Sequence, residues 1–155
     1  PLSMAALLIT FGILMGVADR FSKKKDQIDN LTLVSALVIG CAQALALMPG
    51  VSRSGVTMTA ALLCGLTRES SARYAFLLGG PILLGAAVHN GLAFFMNAPS
   101  PSEMKIFLIG LAVCTVVGMA SIAFLMKYLK TQSLNLFVGY RIALGVLIIA
   151  LAMTR

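Results

Sequence analysis

Residues 31–66 read LTLVSALVIGCAQALALMPGVSRSGVTMTAALLCGL, and the fold of the chain follows from this stretch. An uncharged apolar run ends at Met48, and a second, shorter run begins at Val56. Between the two runs, a proline, two glycines and two serines surround Arg53. A charged residue within apolar sequence is costly in lipid. Non-helical backbone at membrane depth is tolerated only where protein or a water-filled cavity surrounds it, so the break has to be enclosed.

This pattern predicts a re-entrant hairpin over residues 31–66, in which one helix enters over 32–48 and another leaves over 55–66. The second arm covers only about 18 Å at 1.5 Å per residue, too short to cross a bilayer core of about 30 Å. The tip of the hairpin, residues 49–57, then lies at membrane depth. Two ordinary spans joined by an exposed loop are the alternative, because the first arm is almost long enough to cross.

The composition of the whole chain places this hairpin in a membrane protein. Of its 155 residues, 59% are apolar and 11% are charged, which leaves too little polar surface to cover a soluble globule. We predict an all-α integral membrane protein, a single domain over residues 1–155 with about four transmembrane helices and one re-entrant hairpin. The apolar stretches long enough to cross are Leu2–Ala18, Tyr74–Met96, Ile106–Met126 and Leu134–Met153.

The net charge of +7 arises mostly in three segments between the apolar stretches. Basic residues in short loops mark the cytoplasmic side of a membrane protein, so we expect these segments to be cytoplasmic. The loop 97–103 has no lysine or arginine and is expected outside. A charge explained by topology gives no reason to expect a nucleic-acid partner. The basic residues concerned are Arg20, Lys23, Lys24, Lys25, Arg68, Arg73, Lys127 and Lys130.

Three smaller features predict local structure. Thr67, with Glu69 in the following turn, is typical of a helix N-cap. Gly12 and Gly16 have the spacing of a helix-packing motif. His89 lies within the second span, and we expect it to pack against a helix or line a cavity, with a proton carrier as the alternative.

The tip of the hairpin has the chemistry of an anion site. Its glycines let backbone N–H groups approach a ligand, its hydroxyls are donors, and Arg53 supplies a planar fork that matches phosphate oxygens. A helix is expected to begin at about Ser54, and a helix N-terminus carries about half a positive charge. Every group there is a donor and none is an acid, so the tip suits phosphate or carboxylate. Alternatively, Arg53 pairs with backbone carbonyls or a neighbouring acid and only holds the hairpin in place.

One bacterial family is similar to this sequence over essentially its whole length. The resemblance is carried by the run from Gln43 to Thr57, by Arg68 and Ala72, and by the span that continues AFLL from residue 75. These features resemble the undecaprenyl-diphosphatase family of the bacitracin-resistance type, whose PGxSRSG signature is matched in full by residues 49–55. The resemblance implies two re-entrant hairpins related as inverted repeats. This chain corresponds to the C-terminal half of that fold, and we expect it to be a fragment.

The resemblance implies an enzyme that removes the terminal phosphate of undecaprenyl diphosphate and recycles this carrier lipid for peptidoglycan synthesis at the bacterial inner membrane. The implied partners are the polyprenyl diphosphate substrate and membrane lipid, with a homo-oligomer as a further expectation. By the signature, Arg53 grips the diphosphate, and Ser52 and Ser54 act with it as catalytic residues. The implied phosphate ligands are Gly50, Ser52, Arg53, Ser54, Gly55 and Thr57.

The resemblance also implies a divalent cation, Mg²⁺ or Ca²⁺, which this chain is not expected to hold. In the family, the first hairpin carries an (E/Q)xxxE motif and a histidine, which are assigned to the metal and to the catalytic base or nucleophile. The related run here begins at Gln43, and its second acidic position is Leu47. We expect no metal ligand in this chain and no activity of the chain alone, because phosphoryl transfer needs charge neutralisation and an activated nucleophile.

Two other classes of function fit the same residues. A transporter built from inverted repeats would bind an anionic lipid or solute near the membrane midplane through a broken helix. A binding subunit completed by another chain would supply only the donors. An acidic hairpin upstream would favour hydrolysis, whereas a second hairpin with donors alone would favour transport.

Overall fold

The computed structural model describes residues 2–97 and 100–153. In this part of the chain the regular structure is helical, with no strand. Four of the helices are long and apolar enough to cross a membrane, which confirms an all-α, multi-pass membrane protein. The α-helices are α1 (Leu2–Phe21), α2 (Leu33–Gln43), α3 (Arg53–Leu63), α4 (Arg68–Met96), α5 (Pro101–Thr131) and α6 (Asn135–Met153).

Polar caps extend α4 and α5 beyond the predicted apolar stretches. The Thr67 hydroxyl accepts the N–H of Ser70 at 3.2 Å and starts α4, as predicted. Ser100 and Glu103 accept each other's backbone N–H groups at the start of α5. The 29 residues of α4 span about 43 Å at 1.5 Å per residue, more than a bilayer core of about 30 Å, so its ends project into polar surroundings.

Residues 31–66 form two helices joined by a turn. The first arm, α2, tightens into a 3₁₀ turn over Ala44–Leu47, and α3 is the second arm. Gln43 lies beside Thr57 near the tip, with 3.3 Å between Oε1 and Oγ1. Nearer the base, Ile39 packs with Ala61. The two arms therefore run antiparallel along their length.

Backbone hydrogen bonds close the base of the hairpin, where the N–H of Thr67 donates to the carbonyl of Asp26 at 2.9 Å. The tip lies at the other end, where Gly50 contacts Met4 near the start of α1. Met4 is about 22 Å along α1 from Asp19, which lies near the base, and this distance is less than a bilayer core of about 30 Å. The chain thus enters and leaves the hairpin at the same end of the bundle, which is the geometry of a re-entrant hairpin. The depth of the hairpin in a bilayer stays a prediction.

Glycines bring α1 and α6 into close contact. A Cβ at Gly12 would lie 3.3 Å from the Cβ of Arg141, and one at Gly16 would lie 3.4 Å from Val138 Cγ1. Gly145 of α6 faces α1 in the same way. The predicted packing motif at positions 12 and 16 is thus confirmed, and it fixes α6 beside α1.

Asp19, which is only 3% exposed, ties the basic segments together at one end of the bundle. Its carboxylate accepts from Arg68 Nε at 2.6 Å and from the N–H of Leu134 at 3.1 Å. Lys24 pairs with the same carboxylate at 3.2 Å. The segments that follow α1, α3 and α5 therefore meet at one end, as their charges predict. The assignment of that end to the cytoplasm stays a prediction.

The hairpin of α4 and α5 has an exposed apolar outer surface. Phe94 stacks on Phe107 with 4.8 Å between the ring centroids, close to the connection between the two helices. Ala98 and Pro99 of the predicted external loop lie outside the described residues. His89 is exposed on α4, contrary to the packing or cavity-lining position that we predicted, because no helix of the described chain covers that face.

Candidate anion-binding site

The turn before α3 brings the signature residues to the tip of the hairpin. Gly50 has a φ of +103°, a left-handed conformation that is costly for a residue with a side chain. A Cβ at this position would also lie 2.8 Å from the carbonyl oxygen of Met4. Glycine at position 50 therefore permits both the turn and its contact with α1. Its role as a phosphate ligand stays a prediction.

Ser52 caps α3, which begins at Arg53, one residue earlier than predicted, and this cap leaves donors of the first turn free. Its hydroxyl accepts the N–H of Gly55 at 3.3 Å and lies 3.4 Å from the hydroxyl oxygen of Ser54. Within the described residues, no group accepts the N–H of Arg53 or Ser54. The first turn thus presents two backbone donors and two hydroxyls at the positive end of a helix.

The Arg53 side chain reaches α4 without meeting an acid. Its Nη2 atom lies 3.7 Å from the position that a Cβ on Gly79 would occupy. Its guanidinium has no hydrogen bond or ion pair with any residue in the described ranges. The described chain therefore offers no partner through which Arg53 would merely pin the hairpin, and the guanidinium is available to an anion.

Thr57 lies one helical turn below the tip and braces the two arms of the hairpin. Its side chain is fully buried. Its hydroxyl donates to the carbonyl of Arg53 at 2.8 Å and lies 3.3 Å from Oε1 of Gln43. The other signature residues come together at the turn, whereas this hydroxyl already has protein partners. Its predicted role as a phosphate ligand is not tested by this arrangement.

Arg141 of α6 is a second arginine at the tip, and our reading of the sequence did not single it out. A Cβ at Gly55 would lie 2.6 Å from Nη1 and 2.7 Å from Cζ of Arg141, so the guanidinium occupies the space beside this glycine. Like Arg53, it has no hydrogen bond or ion pair within the described residues. The available signal was a lone charge inside the apolar span Leu134–Met153, which is costly in lipid without a partner.

A cavity of about 90 Å³ lies where α3 meets α6. Ser54, Gly55 and Arg141 form its polar side. Leu125 and Phe137 of its apolar wall also line a shallow apolar groove on the outer surface of the bundle. The polar cavity therefore borders a surface suited to hydrocarbon. The remaining wall residues are Met15, Met58, Ala75, Phe76 and Leu134.

The donors at the tip do not fit a divalent cation. Mg²⁺ and Ca²⁺ prefer carboxylate and carbonyl oxygens, whereas the tip supplies guanidinium, hydroxyl and N–H donors. Over residues 2–97 and 100–153, no three His, Cys, Asp or Glu side chains come together as a metal site. The arrangement can orient and neutralise an oxyanion, and it lacks a general base.

Known proteins are similar to this sequence over almost its whole length. The sequence model of the family described as bacitracin resistance protein BacA matches residues 1–147. An undecaprenyl-diphosphatase of Trichlorobacter lovleyi is 46% identical over 151 residues, which cover 97% of this chain and 56% of that protein. One of Geotalea daltonii is 48% identical over 147 residues, 95% of this chain and 54% of that protein. One of Elusimicrobium minutum is 45% identical over 156 residues, 100% of this chain and 58% of that protein.

The match covers only part of each relative. This chain spans about half the length of the curated relatives it matches. The matched half includes the hairpin of α2 and α3 and both arginines of the tip.

Proposed function

The chain belongs to the bacitracin resistance protein BacA family, and we propose that it supplies the phosphate-binding part of an undecaprenyl-diphosphatase. The reaction converts undecaprenyl diphosphate and water into undecaprenyl phosphate and inorganic phosphate. One observation carries the proposal: Arg53 and the first-turn donors of α3 belong to one turn, with no acid paired to them among the described residues. A diphosphate supplies the missing negative charge and accepts hydrogen bonds from all of these donors.

The hydrolysis breaks the bond between the terminal phosphorus and the bridging oxygen. Water attacks the terminal phosphorus in line with this bond and loses a proton, and the bridging oxygen leaves as part of undecaprenyl phosphate. The fork of Arg53 binds two phosphate oxygens, and the hydroxyls of Ser52 and Ser54 donate to others. The tip thus stabilises the charge that develops in the transition state.

The base that accepts the proton of water comes, in this proposal, from residues outside this chain. Within the described residues, Asp19 lies in the ion-pair cluster at the opposite end of α1 from the tip, and His89 is exposed on α4. We propose the same origin for the ligands of a divalent cation, because the tip has donors only. The relatives extend well beyond the matched segment, which leaves room in such a protein for both groups.

The membrane setting suits a substrate with a polyprenyl tail. The tail remains in the bilayer while the diphosphate reaches the tip beside α6. The tip lies near Met4, away from the basic end at Asp19, so in this proposal the site opens toward the outer face. We place the enzyme in the bacterial inner membrane, where it returns the carrier lipid to peptidoglycan synthesis.

The test is phosphate release from undecaprenyl diphosphate by a complete protein that contains this chain, purified in detergent, with and without a divalent cation. Arg53→Ala should lower kcat/KM by about 100-fold or more, the usual effect of removing one transition-state donor. Arg53→Lys should retain part of the activity, since it keeps the charge without the fork. Arg20→Ala, which removes an exposed cation, is the control and should have little effect. Full activity of the Arg53→Ala variant would show that the tip is not the phosphate site.

A further inference from the structure

Arg141, deep within the membrane-spanning helix α6, has no ion-pair partner among the described residues. Its Cβ packs against Gly12, which lies about 10 Å along α1 from Asp19 at 1.5 Å per residue. Arg141 therefore lies inside the bundle, well away from the ion pairs that Asp19 makes at the basic end. A charged residue at such depth has a high cost unless it meets a partner or a water-filled cavity, and its position usually marks function.

Three sources of positive charge adjoin the first turn of α3. The guanidinium of Arg141 lies against Gly55 in the first turn of α3, and that turn carries the partial charge of a helix N-terminus. Arg53 begins the same turn. Like charges repel strongly where water is scarce, and no carboxylate among the described residues lies between them. Within the described residues these positive charges have no negative counterpart, which favours an anion that carries more than one charge.

Two glycines hold Arg141 in this position. Gly12 of α1 contacts the beginning of its side chain, and Gly55 of α3 leaves the space for its guanidinium. A side chain at either glycine would crowd the arginine. The guanidinium is thus placed at the tip by two different helices, and a fixed donor of this kind binds an anion with little cost of rearrangement.

The surroundings of the two arginines differ. Arg53 points toward Gly79 of α4. Arg141 lies on the polar side of the cavity. Leu125 and Phe137 form part of the apolar wall of this cavity and also line the outer apolar groove. Within a diphosphate lipid, the phosphate that carries the hydrocarbon is the one that must lie next to an apolar surface. Arg141 is therefore on the side where the tail leaves.

We propose that Arg141 binds the lipid-bearing phosphate of the substrate, while Arg53 binds the terminal phosphate. This assignment rests on the proposed function of the tip. It gives the site two guanidinium forks for two adjacent phosphates, each able to bind two oxygens. Arg141 then holds substrate and product alike through the phosphate that both retain, and Arg53 acts chiefly on the group that is removed.

The test compares binding of undecaprenyl phosphate, the monophosphate product, with hydrolysis of undecaprenyl diphosphate, both on a complete protein that contains this chain. Arg141→Gln should weaken equilibrium binding of undecaprenyl phosphate, measured by calorimetry in detergent, by about 10-fold to 100-fold. It should raise KM by a similar factor and lower kcat less. Arg53→Gln should mainly lower kcat and change the binding of undecaprenyl phosphate less. Arg141→Lys should give an intermediate loss, and Arg20→Gln should match the unsubstituted chain.

Unchanged binding of undecaprenyl phosphate by the Arg141→Gln variant would overturn the assignment. So would a loss that appears equally in Arg141→Lys and follows a fall in thermal stability, because that result indicates a purely structural role. The binding measurement requires no turnover. If the complete protein fails to hydrolyse the diphosphate but Arg141 still controls binding of the lipid phosphate, the proposed function fails and the assignment of Arg141 stands.

Discussion

Arg141 occupies the space that a side chain on Gly55 would fill, with Nη1 only 2.6 Å from the position of the missing Cβ. This relationship joins α6 to the first turn of α3, two elements that the apolar pattern alone does not pair. It also explains why glycine stands at position 55, where the helix itself would favour a residue with a side chain. Glycine is needed at position 55 because a side chain there would take the space of the Arg141 guanidinium.

Gly55→Ala should displace the Arg141 guanidinium and reduce the affinity for undecaprenyl phosphate by about 10-fold or more. Stability should fall by about 1–3 kcal/mol, the usual cost of overpacking a filled site. Calorimetry and unfolding in detergent measure the two effects. Gly80→Ala is the matched control, because nothing lies within 4 Å of a Cβ there, and alanine should slightly stabilise α4. If Gly55→Ala behaved like Gly80→Ala, Arg141 would not be held where the structure places it.

Substitutions of Ser52 separate helix capping from anion binding. Ser52 caps α3, and asparagine or aspartate cap a helix about as well as serine does. Ser52→Asn should therefore keep stability, while Ser52→Asp keeps the cap but sets a negative charge against the phosphate. We expect Ser52→Asp to lower kcat/KM by about 100-fold with little loss of stability. Thr32→Asp, at the cap of α2, is the control and should preserve both. Normal turnover by the Ser52→Asp variant would contradict a phosphate at this cap.

The helical fold could be predicted because it follows from local sequence. Uninterrupted apolar length predicted the four long helices, and the break around Arg53 predicted the turn between α2 and α3. The ends of the helices were less predictable. Polar caps such as Ser100 with Glu103 extend a helix past its apolar stretch, and hydropathy does not detect them.

The site was only partly predictable, because its remaining parts depend on contacts between distant segments. The donors of residues 50–55 are contiguous and could be identified together. Arg141 has no turn residues around it, and its importance becomes visible only when α6 packs beside α1. Asp19 stands beside basic residues in the sequence, whereas in the fold it is buried and bound by Arg68 and by the backbone of Leu134. Tertiary packing determines the role of both residues.

Asp19→Asn should destabilise the bundle more than any change at an exposed ion pair. The substitution removes the buried charge that faces Arg68 and Lys24. Because both cations are about a quarter exposed and stay solvated, we expect a loss of about 1–3 kcal/mol. We expect a clear fall in the midpoint of unfolding by SDS or heat in detergent. Glu69→Gln is the control, since its pair with Lys130 is largely exposed and should contribute less than about 1 kcal/mol. Equal effects of the two changes would show that Asp19 does not join the helix ends.

The side of the membrane from which the tip is reached can be measured with an impermeant thiol reagent on whole cells. The native cysteines Cys41, Cys64 and Cys114 are free, so they are first replaced by serine. Ser54→Cys then places a thiol at the exposed first turn of α3, and Gln132→Cys places one at the basic end, between α5 and α6.

If the basic segments are cytoplasmic, the thiol at position 54 should react in intact cells, and the thiol at position 132 should react only after permeabilisation. Added undecaprenyl phosphate should slow the reaction at position 54 alone, because the lipid phosphate covers the first turn. The reverse pattern, with position 132 labelled from outside, would show that the loop charges do not set the orientation. Labelling of both positions only after permeabilisation would mean that the tip opens toward the cytoplasm, and the proposed entry of substrate from the outer face would be wrong.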